Sequence, residues 1–185
     1  MSGEQNIPAD LASVAITDRF AIVKMEGRGS FKISASLKQF GDTIISRRIP
    51  LIVVDMTNCI GMDSTFMGVM AGLATRLKTQ SGKIVMVNCS PRTRGLLATL
   101  GLDQLIGTFE IGHTPEIYSA ILQGRTPREE LEAGSCHEIE TVQTMLDAHQ
   151  NLVDLVPANL PQFKDVLVFL REELNRKSGD QPGAG

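Results

Sequence analysis

The segment Leu51–Gly68, with the sequence LIVVDMTNCIGMDSTFMG, decides the fold of this chain. It opens with an aliphatic run that reaches Asp55 without any alternation of apolar and polar residues. Such a run is typical of a central strand that is buried on both faces of a mainly parallel sheet. We expect a short loop over residues 56–63 and then a helix, because Asp63-Ser64-Thr65 contains the residue types that favour a helix N-terminus.

The same pattern continues on both sides of this segment and predicts one α/β domain over residues 14–123. Two short strands and a helix precede it, and two further strand–helix pairs follow it. The strands are expected over residues 14–19, 20–25, 51–56, 83–88 and 109–111, and the helices over 31–48, 64–79, 91–100 and from Thr114. Helices that alternate with strands in this way indicate a sheet with helices packed on it.

Apolar residues at intervals of three and four predict which helix faces are buried. The stripe expected in the second helix consists of Phe66, Met70, Leu73 and Leu77. Gly68 and Gly72 are expected to let that helix approach the sheet closely. The inward residues expected in the last helix of the domain are Ile117, Ala120 and Ile121.

A separate C-terminal piece follows the α/β domain. Residues 124–134 are interpreted as a linker or a hinge helix, and residues 135–177 as a helical hairpin whose second helix is capped by Asn159. The apolar stripe expected in the first helix is Ile139, Val142, Leu146, Val153 and Val156, with His149 among them as a hydrogen-bonded interface residue. Residues 1–13 and 178–185 are expected to be flexible. Whether the hairpin packs on its own domain or on a second copy stays open.

Composition and charge exclude several classes of function. The 185 residues carry a net charge of −3, which argues against a basic nucleic-acid-binding surface. Residues 1–123 have a net charge of +2 and residues 124–185 a net charge of −5. No apolar run approaches the length of a membrane span, and the N-terminus lacks the pattern of a secretory signal. Three cysteines without a close pair favour a cytoplasmic protein, with no metal site and no cofactor.

Asp63-Ser64 is the candidate for chemistry, although helix capping is the ordinary role of such a pair. A helix N-terminus favours added negative charge, so a phosphate on Ser64 would be tolerated there. A serine-hydrolase elbow needs glycine two residues before and two residues after the serine, and these positions hold Met62 and Phe66. We therefore expect no catalytic residue in the chain.

The residues Asp55-Met56-Thr57, Met62-Asp63-Ser64-Thr65 and Gly68-Val69 resemble the signature of STAS domains, the fold of bacterial anti-sigma factor antagonists. The resemblance implies a STAS-like mixed sheet and phosphorylation of Ser64 by a partner that is both anti-sigma factor and serine kinase. It also implies a serine phosphatase that reverses the modification. The partner-binding residues that it implies are Asp55, Thr57, Asn58, Met62, Asp63, Thr65 and Met67.

Two features depart from the family pattern and leave other functions open. Phe66 stands where the family usually has glycine, and the acidic hairpin lies outside the minimal domain. One alternative is a constitutive scaffold or oligomerisation module without phosphorylation, in which the hairpin forms a homodimer. Another is a domain that binds a small ligand or nucleotide, but the chain lacks a phosphate-binding loop.

Overall fold

The computed structural model describes residues 10–134 and 137–179, and its centre is one six-stranded mixed sheet. The strands are β1 (Leu11–Ile16), β2 (Ala21–Gly29), β3 (Leu51–Met62), β4 (Lys83–Cys89), β5 (Gly107–Glu110) and β6 (Glu129–Leu131). Their order across the sheet is β5-β4-β3-β2-β1-β6. β2 to β5 run parallel, and β1 pairs antiparallel with β2 and with β6. The predicted mixed, mainly parallel α/β sheet is confirmed.

Six α-helices accompany the sheet within the described residues. They are α1 (Phe31–Ser46), α2 (Ser64–Thr79), α3 (Pro91–Thr99), α4 (Glu116–Gln123), α5 (Glu138–Leu155) and α6 (Leu160–Gly179). The second helix begins at the predicted residue, because the Asp63 side chain accepts a hydrogen bond from the Phe66 N–H and so satisfies one free amide. Gly101 follows α3 in the left-handed conformation at φ 79°, as its place after the helix predicts.

The two faces of the sheet differ in how they are covered. Ile52 and Val54 point to the larger core, which α1, α2 and α5 enclose. Val53 points to the other face, where it packs in a smaller cluster with Tyr118 of α4. Successive side chains of a strand alternate between faces, so Asp55 lies on the α4 side and α2 lies on the opposite side.

Several expected boundaries are wrong in ways that hydrogen bonding explains. β3 continues to Met62 and replaces the expected loop over 56–63, because irregular pairing with β2 extends as far as the Gly29–Met62 pair. Residues 129–131 are neither linker nor hinge helix but the edge strand β6 beside β1. β1 begins at Leu11, within the segment expected to be flexible, and α6 ends at Gly179. Residues 1–9, 135–136 and 180–185, which hold parts of the predicted flexible ends and of the hairpin, lie outside the described residues.

The buried faces of α4 and α5 differ in part from the prediction. In α4, Ile121 packs half-buried against the smaller core cluster as predicted, whereas Ile117 is 66% exposed, Ala120 is exposed and the buried residue is Tyr118. The α5 residues that are buried most completely are Ala148 and Leu152. The predicted stripe is confirmed at Val142 and His149, which are buried, and Leu146 and Val153 pack partly buried against the core. Ala148 and Leu152 widen the buried face because this helix has neighbours on two sides, α2 and α6.

The hairpin packs on its own domain. α5 lies along α2, and α6 packs on α5, with the Phe163, Leu167 and Leu170 side chains buried. Asn159 lies at the turn between α5 and α6, and its side-chain amide donates to the carbonyls of Leu152 and Leu100, at 2.9 and 3.3 Å. Lys38 on α1 forms an ion pair with Asp147 on α5 at 2.7 Å. The described part of the hairpin is therefore an integral layer of the fold.

Candidate functional site

Asp63 ties the start of α2 to its neighbours. Its Oδ1 accepts from the Phe66 N–H at 2.9 Å, and its Oδ2 accepts from the Phe31 N–H at the start of α1 at 2.8 Å. Its own N–H donates to the Gly29 carbonyl at the end of β2, at 2.9 Å. Because Asp63 caps the helix, the hydroxyl of Ser64 is left to make a different contact.

Ser64 makes that contact with the hairpin. Its Oγ lies 3.0 Å from Nε2 of His149 on α5, and Nδ1 of the same ring lies 2.7 Å from the Met145 carbonyl oxygen. A carbonyl only accepts, so Nδ1 carries the hydrogen that is donated to Met145. In the neutral ring Nε2 then has a free lone pair, and the Ser64 hydroxyl donates to it. His149 is 4% exposed, and its ring meets Phe163 of α6 edge-on at 5.2 Å.

The predicted role of His149 as a hydrogen-bonded interface residue is confirmed. Its partner across 85 positions of sequence could not be predicted, because the apolar periodicity of α5 gives no information about the element it meets. We name Asp63, Ser64 and His149 the Ser64 cluster.

Phe66 has no place on the surface around Ser64. Its side chain is fully buried, and its ring lies so close to Gly29 that a Cβ on Gly29 would stand 2.8 Å from the ring. The absence of a side chain at Gly29 thus makes room for the aromatic ring. The departure from the family pattern at Phe66 is accommodated inside the core and does not add bulk beside the Ser64 hydroxyl.

Asp55 belongs to a second group of polar residues on the other face of the sheet. Its Oδ1 accepts from the Thr57 N–H at 3.1 Å, from the Thr57 hydroxyl at 2.5 Å and from the Asn88 amide at 2.9 Å. The Thr114 hydroxyl donates to Asn88 Oδ1 at 3.0 Å. Asn88 has φ 56°, a left-handed conformation that asparagine adopts more readily than most residues. Asp55, Thr57, Asn88 and Thr114 form the Asp55 cluster.

The family is decided by a match over residues 12–115, more than half of the chain, to the model of the STAS domain. The chain belongs to the STAS domain family. The matched range holds β1 from its second residue, all of β2 to β5, the whole Asp55 cluster and the first two members of the Ser64 cluster. α4, β6 and the hairpin follow the matched part, so His149 reaches the STAS domain from outside it.

A comparison with solved structures finds similar chains at low sequence identity. SpoIIAA, a cell-fate determinant of Bacillus, was solved in its phosphorylated form. It is 17% identical, with 60% of this chain and 97% of that chain covered and a TM-score of 0.48. An anti-sigma factor antagonist of Mycobacterium paratuberculosis is 18% identical, with 61% and 93% covered and a TM-score of 0.49. No curated protein sequence is a significant relative of the chain.

The predicted partner-binding residues of the STAS domain do not form one surface. Thr57 and Asn58 are exposed, and Asp55 and Asp63 are half-buried. Met62, Thr65 and Met67 are 6%, 4% and 5% exposed. In this conformation these three residues support the start of α2 from inside, and direct contact with a partner stays a prediction.

Gly68 and Gly72 allow a close contact of α2 with α5 and not the expected contact with the sheet. A Cβ on Gly68 would stand 2.1 Å from the Ala148 carbonyl oxygen, and one on Gly72 would stand 2.3 Å from the Asn151 amide nitrogen. The small residues of α2 therefore admit α5 and not the sheet. Two glycines four positions apart indicate a close approach to another backbone, but the sequence does not say which backbone.

The cysteines have no reactive environment in the described residues. Cys59 and Cys89 are buried and unpaired with each other. Burial raises the pKa of the Cys59 thiol, and it raises the pKa of the Cys89 thiol to about 11. Thiols with raised pKa values are poor nucleophiles and poor metal ligands at neutral pH. Within the described ranges, His, Cys, Asp and Glu side chains form no group of three that could hold a metal ion.

None of the helices in the described part of the chain is both long enough and apolar enough to cross a membrane.

Proposed function

We propose that this STAS protein acts as an anti-sigma factor antagonist in the cytoplasm. In this role it has no catalytic activity, and Ser64 is phosphorylated by a partner that is both anti-sigma factor and serine kinase. The position of Ser64 carries the proposal. It is the first residue of α2, inside the part of the chain that matches the family, and Asp63 rather than Ser64 caps the helix.

The start of α2 suits a serine that gains and loses charge. The free amides and the dipole of a helix N-terminus stabilise a negative charge, so the domain itself can accommodate a phosphate on Ser64. The phosphate adds about −1.5 to −2 charges at neutral pH. A partner that docks on the unmodified surface then meets both bulk and charge, and it is released until a phosphatase removes the phosphate.

Exposed apolar side chains near the ends of β2 and β3 support a docking surface at this end of the sheet. Phe31, whose N–H binds the Asp63 carboxylate, is 45% exposed, and Ile60 near the end of β3 is 52% exposed. Large apolar side chains supply much of the binding free energy in protein interfaces when a partner covers them. The proposed surface consists of Phe31, Ile60, Asp63 and Ser64.

The test uses the full chain, ATP and a serine kinase of the anti-sigma factor class. We expect mass spectrometry to locate one phosphate at Ser64 and the Ser64→Ala variant to remain unmodified. We also expect Ser64→Asp to bind the kinase more weakly than the unmodified chain. Ser81→Asp is the matched control, because Ser81 is an exposed turn residue just beyond α2.

An unmodified Ser64, together with equal binding by the Ser64→Asp variant, would refute the proposed switch. The scaffold alternative, with a homodimer formed through the hairpin, would then remain. The buried residues of α5 and α6 pack within one chain, so a dimer through the same residues would require the hairpin to exchange between copies.

A further inference from the structure

The hairpin covers the face of α2 on which Ser64 lies. Ser64, Gly68 and Gly72 are four positions apart and therefore lie along one side of the helix. α5 runs along this side, with His149 at Ser64 and the Ala148 backbone at Gly68. Asn151 reaches across both glycines and donates to the Gly68 carbonyl at 3.2 Å. The contact is a close-packed helix pair that ends on the Ser64 hydroxyl.

A kinase needs the space that His149 occupies. In phosphoryl transfer the Ser64 Oγ attacks the γ-phosphorus of ATP, the bond from that phosphorus to the β-phosphate breaks and ADP leaves. The hydroxyl proton passes to a base of the kinase. This reaction requires an open approach to Oγ. With the hairpin docked, Oγ is hydrogen-bonded to a ring that is 4% exposed and backed by Phe163.

The position of His149 opposes the product of that reaction. The ring atom Nε2 lies 3.0 Å from the Ser64 Oγ, and Phe163 packs against the ring. A phosphate of about −1.5 to −2 charges bonded to this oxygen would overlap the position of the imidazole ring. A docked hairpin and a phosphorylated Ser64 are therefore incompatible.

We propose that the C-terminal hairpin is an intramolecular competitor of the kinase partner for Ser64. The docked hairpin covers the Ser64 hydroxyl and part of α2, and the undocked hairpin leaves both accessible to the kinase. Phosphorylation then holds the hairpin away from α2. Coupling between two binding events is reciprocal, so the docked hairpin weakens kinase binding at Ser64 by the same factor by which the bound kinase weakens hairpin docking. The competitor role rests on the proposed function, whereas the incompatibility of hairpin and phosphate does not.

The first experiment needs no kinase. Phosphoserine is incorporated at position 64 of the full chain during translation, and amide hydrogen exchange is followed by mass spectrometry. We expect exchange in α5 and α6 to accelerate about tenfold or more while β3 and β4 keep their protection. Phosphoserine at position 81 is the control with equal charge. Unchanged exchange in α5 with phosphate at Ser64 would overturn the proposal.

A second pair of variants tests the contact without any added charge. Gly68→Ala places a Cβ against the Ala148 backbone, which cannot move aside as a side chain can. Gly95→Ala in α3 is the matched control, because a Cβ there meets no atom within 4 Å. We expect faster exchange in α5 for Gly68→Ala alone, and faster phosphorylation of Ser64 where the kinase is in hand. Equal exchange in the two variants would contradict the proposed competition.

The outcomes separate the two proposals. If phosphoserine 64 releases the hairpin but no kinase modifies Ser64, the incompatibility stands and the proposed function fails. If a kinase modifies Ser64 at the same rate in the unmodified chain and in Gly68→Ala, the proposed function stands and the hairpin does not compete.

Discussion

The Asp55 cluster and the Ser64 cluster are built from similar residues at the two faces of one sheet, but they are completed from different parts of the chain. Asp55 finds its partners Thr57 and Asn88 within the STAS domain, and Asn88 in turn accepts from Thr114. Ser64 finds His149 in the hairpin beyond it.

The difference separates a structural role from a switchable one. The Asp55 carboxylate accepts three hydrogen bonds from residues that belong to the sheet and its loops, so it remains satisfied whether or not the hairpin is docked. The Ser64 hydroxyl loses its protein partner when α5 leaves. The Asp55 cluster therefore stabilises the fold, whereas the hydrogen bond of Ser64 forms only when the hairpin is docked.

The largest expected effect is a loss of hairpin stability that leaves the sheet around Asp55 unchanged. Leu152→Ala removes a side chain that is fully buried in α5, and such truncations cost about 2–5 kcal/mol. We expect native-state hydrogen exchange to show lost protection in α5 and α6, with β3 and β4 retaining theirs. Leu160→Ala, at a residue that is 47% exposed, is the control. Equal losses in the sheet and the hairpin would show that the two clusters are not independent.

The next largest effect is the coupling free energy between Asp55 and Asn88, which a double-mutant cycle of Asp55→Ala with Asn88→Gly measures. Glycine keeps the left-handed backbone of Asn88, so the cycle isolates the side-chain bond. We expect a coupling free energy of about 1.5–3 kcal/mol from urea unfolding, because one partner is charged. Hairpin exchange should not change. A coupling near zero would mean that water replaces the amide at no cost.

A smaller coupling is expected for Ser64→Ala with His149→Ala. Both groups are neutral in the inferred arrangement, and such bonds contribute about 0.5–1.5 kcal/mol. The loss of ring packing on Phe163 occurs in two arms of the cycle and cancels. Urea unfolding, followed by hydrogen exchange in α5, measures this coupling free energy. A coupling larger than that of Asp55 with Asn88 would reverse the order of the two clusters.

A further effect appears only at alkaline pH and concerns the sheet near Asp55. The unfolded Cys89 thiol loses its proton near its ordinary pKa of 9.0, whereas burial raises the folded pKa to about 11. The folded state thus holds its proton longer, and stability that is complete below pH 9 declines as the pH rises towards 11. Urea midpoints of the unmodified chain should fall more steeply over this range than those of Cys89→Ala. Parallel declines would contradict the assignment.

The pattern of Leu51–Gly68 determined the sheet, the start of α2 and the placing of Asp63 and Ser64 at a helix N-terminus. These features depend on local chemistry: an uninterrupted aliphatic run, a capping carboxylate and apolar residues at helical spacing. The extension of β3 to Met62 and the short strand β6 were missed, because both exist only through pairing with β2 and β1. Main-chain pairing leaves little trace in polar sequences such as Glu129–Leu131.

The sequence by itself determined that Ser64 stands at a helix N-terminus that follows a buried strand, and that an acidic amphipathic hairpin follows the domain. Only the tertiary structure decided that the hairpin returns to α2 and that His149 takes the Ser64 hydroxyl. The reason is that apolar periodicity tells which side of a helix is buried but not against what. The choice depends on the fit of two surfaces, here the bare backbone of Gly68 and the backbone of Ala148.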